Sequence, residues 1–145
     1  MRRFVTYMLA FAMAGGVALM AEKAKTPEDL SAAMKKIGTT QQALGKAINA
    51  MAYPDAKKNL AVIRSEVTDA GNFWALKKKA DAVKFTQDVV TKIDALDKLL
   101  DAQTPDKAAI TAANRDVAVT CAGCHKVYRT TDDNNKFIIK PGTVS

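Results

Sequence analysis

Residues 27–51 read PEDLSAAMKKIGTTQQALGKAINAM. Leu30, Met34, Ile37, Gln41, Leu44, Ile48 and Met51 follow one another at steps that alternate between four and three. That spacing is the stripe a helix turns toward a neighbouring helix, interrupted here by one polar residue, Gln41. The start is equally well marked. Thr26 offers a capping hydroxyl, Pro27 stands where a missing N–H costs nothing, and Glu28 and Asp29 place acids in the first turn. A stripe of this kind cannot bury itself, so it predicts partner helices.

Three further stripes follow. From about Pro54 to Ala70, the residues Ala56, Leu60, Ile63, Val67 and Ala70 repeat the spacing, with Gly71-Asn72 expected to end the helix. From about Phe73 to Ala102 the stripe is Trp74, Ala82, Phe85, Val89, Ile93, Leu96 and Leu100. From about Pro105 to Arg129 it is Ile110, Ala113, Val117, Cys121, Cys124 and Tyr128. Asp132 to Asn135 stops the last helix, and Phe137-Ile138-Ile139 reads as a patch on a loosely docked tail that begins near residue 130. Nothing else alternates with a period of two. The chain is therefore expected to be all-α, and its short connections predict an antiparallel up-down-up-down four-helix bundle.

With 145 residues there is room for one such domain. Alanine accounts for 26 of them and aromatic residues for only 6%. Alanine favours helices and lets them approach closely, but it fills little space. A bundle built this way lacks bulk at its centre unless a non-protein group supplies it. The net charge of +7 is spread out, with no run of five or six cations and no aromatic-studded basic patch. Nucleic-acid binding is therefore not expected.

The first 21 residues differ from the rest. Arg2 and Arg3 precede an uncharged stretch from Phe4 to Ala21, broken by Gly15-Gly16 and ending in small residues. This is the layout of a secretory signal peptide cleaved near Ala21, which leaves residues 22–145 as an exported, periplasmic domain. An uncleaved membrane anchor is the alternative, since eighteen uncharged residues reach the lower limit for a span. Cleavage removes Arg2 and Arg3 and lowers the net charge from +7 to +5. It also leaves Met34 and Met51 as the only methionines.

The chemistry concentrates at Cys121-Ala122-Gly123-Cys124-His125. This is C-x-x-C-H, the attachment signature of a covalently bound c-type haem. Both cysteines of the chain and its single histidine stand here. On a helix, positions i, i+3 and i+4 share one side, so two thiols can meet the two vinyl groups on one porphyrin edge while the imidazole reaches the iron. The competing uses are weaker. A disulfide between Cys121 and Cys124 would close a very small loop, a thiol redox pair lacks its βαβ setting, and a zinc site lacks a fourth ligand.

His125 supplies one axial ligand, and no second histidine exists. In an antiparallel bundle the end of the fourth helix lies beside the start of the first. His125 and Met34 then both fall roughly 6–10 Å from the same end of the bundle, whereas Met51 falls roughly 25 Å away. Met34 is the expected second ligand, an open sixth site being the alternative, and Met51 is expected to be plain core.

These residues bring a known family into view. Four helices with Cys121-Ala-Gly-Cys124-His125 near the end resemble the class II c-type cytochromes, the cytochrome c′ family. Cys124-His125-Lys126-Val127-Tyr128-Arg129 looks like the family's C-H-x-x-Y-R ending, and Phe73-Trp74-Ala75 like its aromatic-Trp pair. Met34, with Leu44-Gly45 ten residues on, is similar to the low-spin branch, in which a methionine of the first helix ligates the iron. The resemblance implies a periplasmic monohaem electron carrier and no enzyme. It also implies Arg129 close to His125, redox partner proteins, and dimerisation through the first two helices. The high-spin branch implies the alternative, an NO- or CO-binding protein with an open site. Lys77-Lys78-Lys79 reads as a solvated face of the third helix or as part of a docking surface for an acidic partner. The sixteen residues after Arg129 depart from the family pattern.

Overall fold

The computed structural model of the chain describes residues 24–144. The leader expected over residues 1–21 lies outside them. Four helices account for most of the described chain: α1 (Pro27–Asn49), α2 (Tyr53–Leu76), α3 (Ala80–Leu100) and α4 (Lys107–Tyr128). Two short strands follow, β1 (Arg129–Thr131) and β2 (Phe137–Ile139). Among the described residues no helix is long and apolar enough to cross a membrane.

The expected caps form at α1. The Thr26 hydroxyl accepts from the Asp29 N–H, and the Asp29 carboxylate accepts from the Thr26 N–H in return, a complete capping box. These bonds, together with one from the Lys25 N–H, hold the Asp29 carboxyl below the usual carboxylate range. At α4 the cap is Asp106, which accepts from the N–H groups of Ala108 and Ala109, so that helix begins two residues after Pro105.

The helices are packed against one another. α1 lies on α2, α2 on α3 and α3 on α4, while α1 and α4 touch far less. Side chains tie the layers at intervals. Lys57 of α2 reaches Asp101 at the end of α3, and Arg64 of α2 meets Asp94 of α3 at 2.8 Å. Lys107 Nζ, at the start of α4, donates to the Asn49 carbonyl at the end of α1 at 2.9 Å. Gln41, the polar place in the α1 stripe, donates to Asn114 of α4 at 2.8 Å.

The stripes read from the sequence form two apolar bodies. One gathers Leu44, Ile48, Leu60, Ile63, Ile93, Leu96 and Ile110. The other gathers Leu30, Ala70, Phe73, Trp74, Ala82 and Tyr128. Between them the stripe residues Met34, Ile37 and Phe85 are only half buried.

Four expectations are corrected. Gly71-Asn72 does not end α2, which runs on to Leu76 and carries Phe73 and Trp74, both buried. Gly71 is there for proximity. A Cβ at that position would lie 2.8 Å from the Thr86 hydroxyl of α3. Lys77 to Lys79 consequently form the turn between α2 and α3, with Lys78 at φ 54°, and are not a face of the third helix. Met51 is not core. It sits in the turn after α1 at φ 57° and is 60% exposed.

The fourth correction concerns the tail. Phe137–Ile139 is a strand, paired antiparallel with β1 in the register Arg129↔Ile139, Thr130↔Ile138 and Thr131↔Phe137. Asp132 closes the turn by accepting from the N–H groups of Asn134 and Lys136, and Asn135 takes φ 58°, a conformation asparagine tolerates.

Candidate functional site

The last two turns of α4 carry Cys121, Cys124 and His125, each half buried. All three line a cavity of about 1030 Å³, and Met34 lines it from α1. Ligand sites usually measure ~300–1,000 Å³, so this space admits a large group. It exists because α1 and α4 stand apart where α2 and α3 do not. Met51 is not among the lining residues. The four residues singled out as cofactor contacts are thus brought to one space, and the rejected methionine is not.

Two further residues shape the wall. Trp74 is 3% exposed, lies 4.6 Å from the Tyr128 ring, and has an indole N–H without a hydrogen-bond partner among the described residues. A buried donor left unpaired costs ~1–3 kcal/mol, so a bound group that supplied an acceptor would relieve it. Phe85 crosses α4 at Gly123, where a Cβ would come within 3.3 Å of its ring. A side chain at this position inside the C-x-x-C-H stretch would push the Phe85 ring back by a few tenths of an ångström. Phe85 belonged to the third stripe, so its position was legible but its contact was not.

The electrostatics favour uncharged groups in the cavity. Burial pushes the Cys121 thiol up. The Cys124 thiol is pushed up to about 11, mainly by burial and then by the negative charge of Asp81 and by Cys121. Neither cysteine is in a disulfide. Reactive redox thiols depend on a depressed pKa, which is the opposite of what is found here. His125 is pushed down, first by burial and then by the charge of Arg129, so its imidazole is held in the neutral form that binds metals. Tyr128 donates to both carboxylate oxygens of Asp81, at 2.6 and 2.7 Å, which anchors the end of α4 to the start of α3. Burial and this bond raise the phenol to about 12, and the same bond lowers Asp81.

The hairpin closes one side. Ile138 and Ile139 line the cavity, as does the segment after them up to Val144. The sequence signalled this only as a short apolar patch.

The donor set suits a flat apolar group joined to two thiols, with an imidazole and a thioether available to its metal. Among the described residues no three His, Cys, Asp or Glu side chains converge as ligands for a bare ion. Comparison with family models, curated proteins and solved structures finds no match to this chain.

Proposed function

We propose that this chain is an exported monohaem c-type cytochrome of the class II kind, an electron carrier with no catalysis beyond electron exchange. One observation carries the reading: Met34 of α1 lines the same apolar cavity as Cys121, Cys124 and His125 of α4, some ninety residues further along the chain. In the same reading the four helices run up-down-up-down. The Lys107–Asn49 and Lys57–Asp101 links, each from the start of one helix to the end of another, support that course.

A haem c held there supplies an iron that exchanges one electron. The residues then have distinct tasks. Cys121 and Cys124 tether the group from one side of α4. His125, kept neutral by its surroundings, provides a nitrogen ligand, and Met34 provides a soft sulfur that favours the reduced state. Phe85, Val67 and Val89 present apolar surface that keeps water away, and the Trp74 N–H offers a hydrogen bond to an acceptor on the bound group. Residues 1–21 act as the export leader, which puts the domain in the periplasm, where c-type attachment takes place.

Intact mass and an optical spectrum test the reading together. Protein exported from a host with haem maturation should carry one haem and no free thiol, and its reduced spectrum should show a sharp split α/β band that CO does not alter. A broad, CO-responsive spectrum would instead support the open-site, gas-binding alternative. An unmodified mass would end the haem reading.

A further inference from the structure

We propose that the C-terminal hairpin and the residues after it are a strap that forms part of the haem site and closes it against solvent. The inference rests on the haem reading above. Four helices alone would leave the space between α1 and α4 as an open groove. The chain after Tyr128 returns across it.

The strap is fastened to the helices by hydrogen bonds and by apolar packing. At α4 the Lys140 N–H donates to the Tyr128 carbonyl at 2.8 Å, and the Lys140 ammonium donates to the Lys126 carbonyl at 2.9 Å. Both acceptors are carbonyls of the last helical turn, which has no intrahelical donors left to satisfy it. Ile139 and Val144 pack against the apolar body that holds Leu30, Trp74 and Tyr128. Arg129, next to the helix end, lies over the Phe137 ring at 4.2 Å and stiffens the pair of strands.

A two-stranded hairpin of three residues per strand is marginal by itself in water. What holds it is the surface beneath it, and part of that surface is the cavity. Phe137 is 60% exposed although it lines the same space, so it lacks a full apolar partner within the chain. A bound apolar group supplies one. Occupancy of the cavity and order in the strap should therefore be linked: the group steadies the hairpin, and the hairpin shields the group. Shielding favours the less charged, reduced iron, so the strap raises the reduction potential.

The test uses haem-loaded protein of three kinds: the full chain, a chain ending at Thr130, and the full-length Ile138→Ser/Ile139→Ser variant. Helical circular dichroism checks the fold of each. Two quantities are then read, the midpoint potential and the rate at which hydrogen peroxide bleaches the haem. The expected result is a lower potential and several-fold faster bleaching in both altered proteins, with helicity unchanged. If the truncated chain fails to fold, the serine variant decides alone. A folded variant with wild-type potential and bleaching rate overturns the strap and leaves the haem reading intact. A full chain that carries no haem overturns the haem reading itself.

Discussion

Met34 and Gly71 show what single residues decide. On the haem reading proposed above, Met34→Ala should open the sixth coordination position: the spectrum becomes high-spin, CO binds and the potential falls. Because Met34 is only half buried, its stability cost should stay below the ~2–5 kcal/mol of a core methionine. Met51→Ala is the control. It should leave the spectrum alone and move stability by less than about 0.5 kcal/mol, because Met51 is an exposed turn residue. At Gly71 two effects compete. Alanine gains roughly 1 kcal/mol of helix propensity, but its Cβ meets the Thr86 hydroxyl, and overpacking costs about 1–3 kcal/mol. Gly71→Ala should therefore destabilise. In a Thr86→Ala background, where the hydroxyl is gone, the same change should stabilise. Urea unfolding of the four proteins checks the change of sign.

The helices and the hairpin meet at Tyr128, and there pH becomes informative. The bond from Tyr128 holds Asp81 below its usual value, so its contribution to stability is present above pH about 4 and is lost as pH falls through the lowered folded value. Tyr128 is raised to about 12. Its contribution is present below the unfolded value of about 10 and is lost as pH rises from there toward the folded value. The stability gap between wild type and Tyr128→Phe should be widest at intermediate pH and should narrow below about 4 and above about 10. Thermal melts across that range provide the measurement, and a gap that stays constant would detach the stability from this bond. The surface ion pairs between elements, such as Arg64 with Asp94, are exposed and worth about 0–1 kcal/mol each.

At the scale of the whole molecule, charge is the feature a partner meets first. Residues 22–145 carry a net +5, and Lys77 to Lys79 occupy the turn between α2 and α3, with Lys78 exposed, after the buried Trp74 of the cavity wall. Association with an acidic redox protein should slow as ionic strength rises, because screening shortens the reach of those charges to about 8–10 Å at 0.1–0.15 M salt. Stopped-flow electron transfer measured against salt checks this, and a flat profile would remove electrostatic steering from the account.

Sequence by itself determined the four apolar stripes, Trp74 and Met51 excepted, together with the cap at Thr26 and the placing of Cys121, Cys124 and His125 on one side of a helix. These depend on spacing along the chain, and a helix converts spacing directly into direction. It also singled out Met34 over Met51, since length along a helix measures distance. Only the tertiary structure decided where α2 ends, because whether Gly71 is a stop or a place of close approach depends on Thr86, fifteen residues away on another helix. The same holds for the strand at Phe137–Ile139, which pairs with β1 and rests on the apolar body that holds Leu30, Trp74 and Tyr128. The cavity is the clearest case. Composition signalled missing bulk, but where the space lies depends on two helices failing to touch, and no local pattern of residues encodes that.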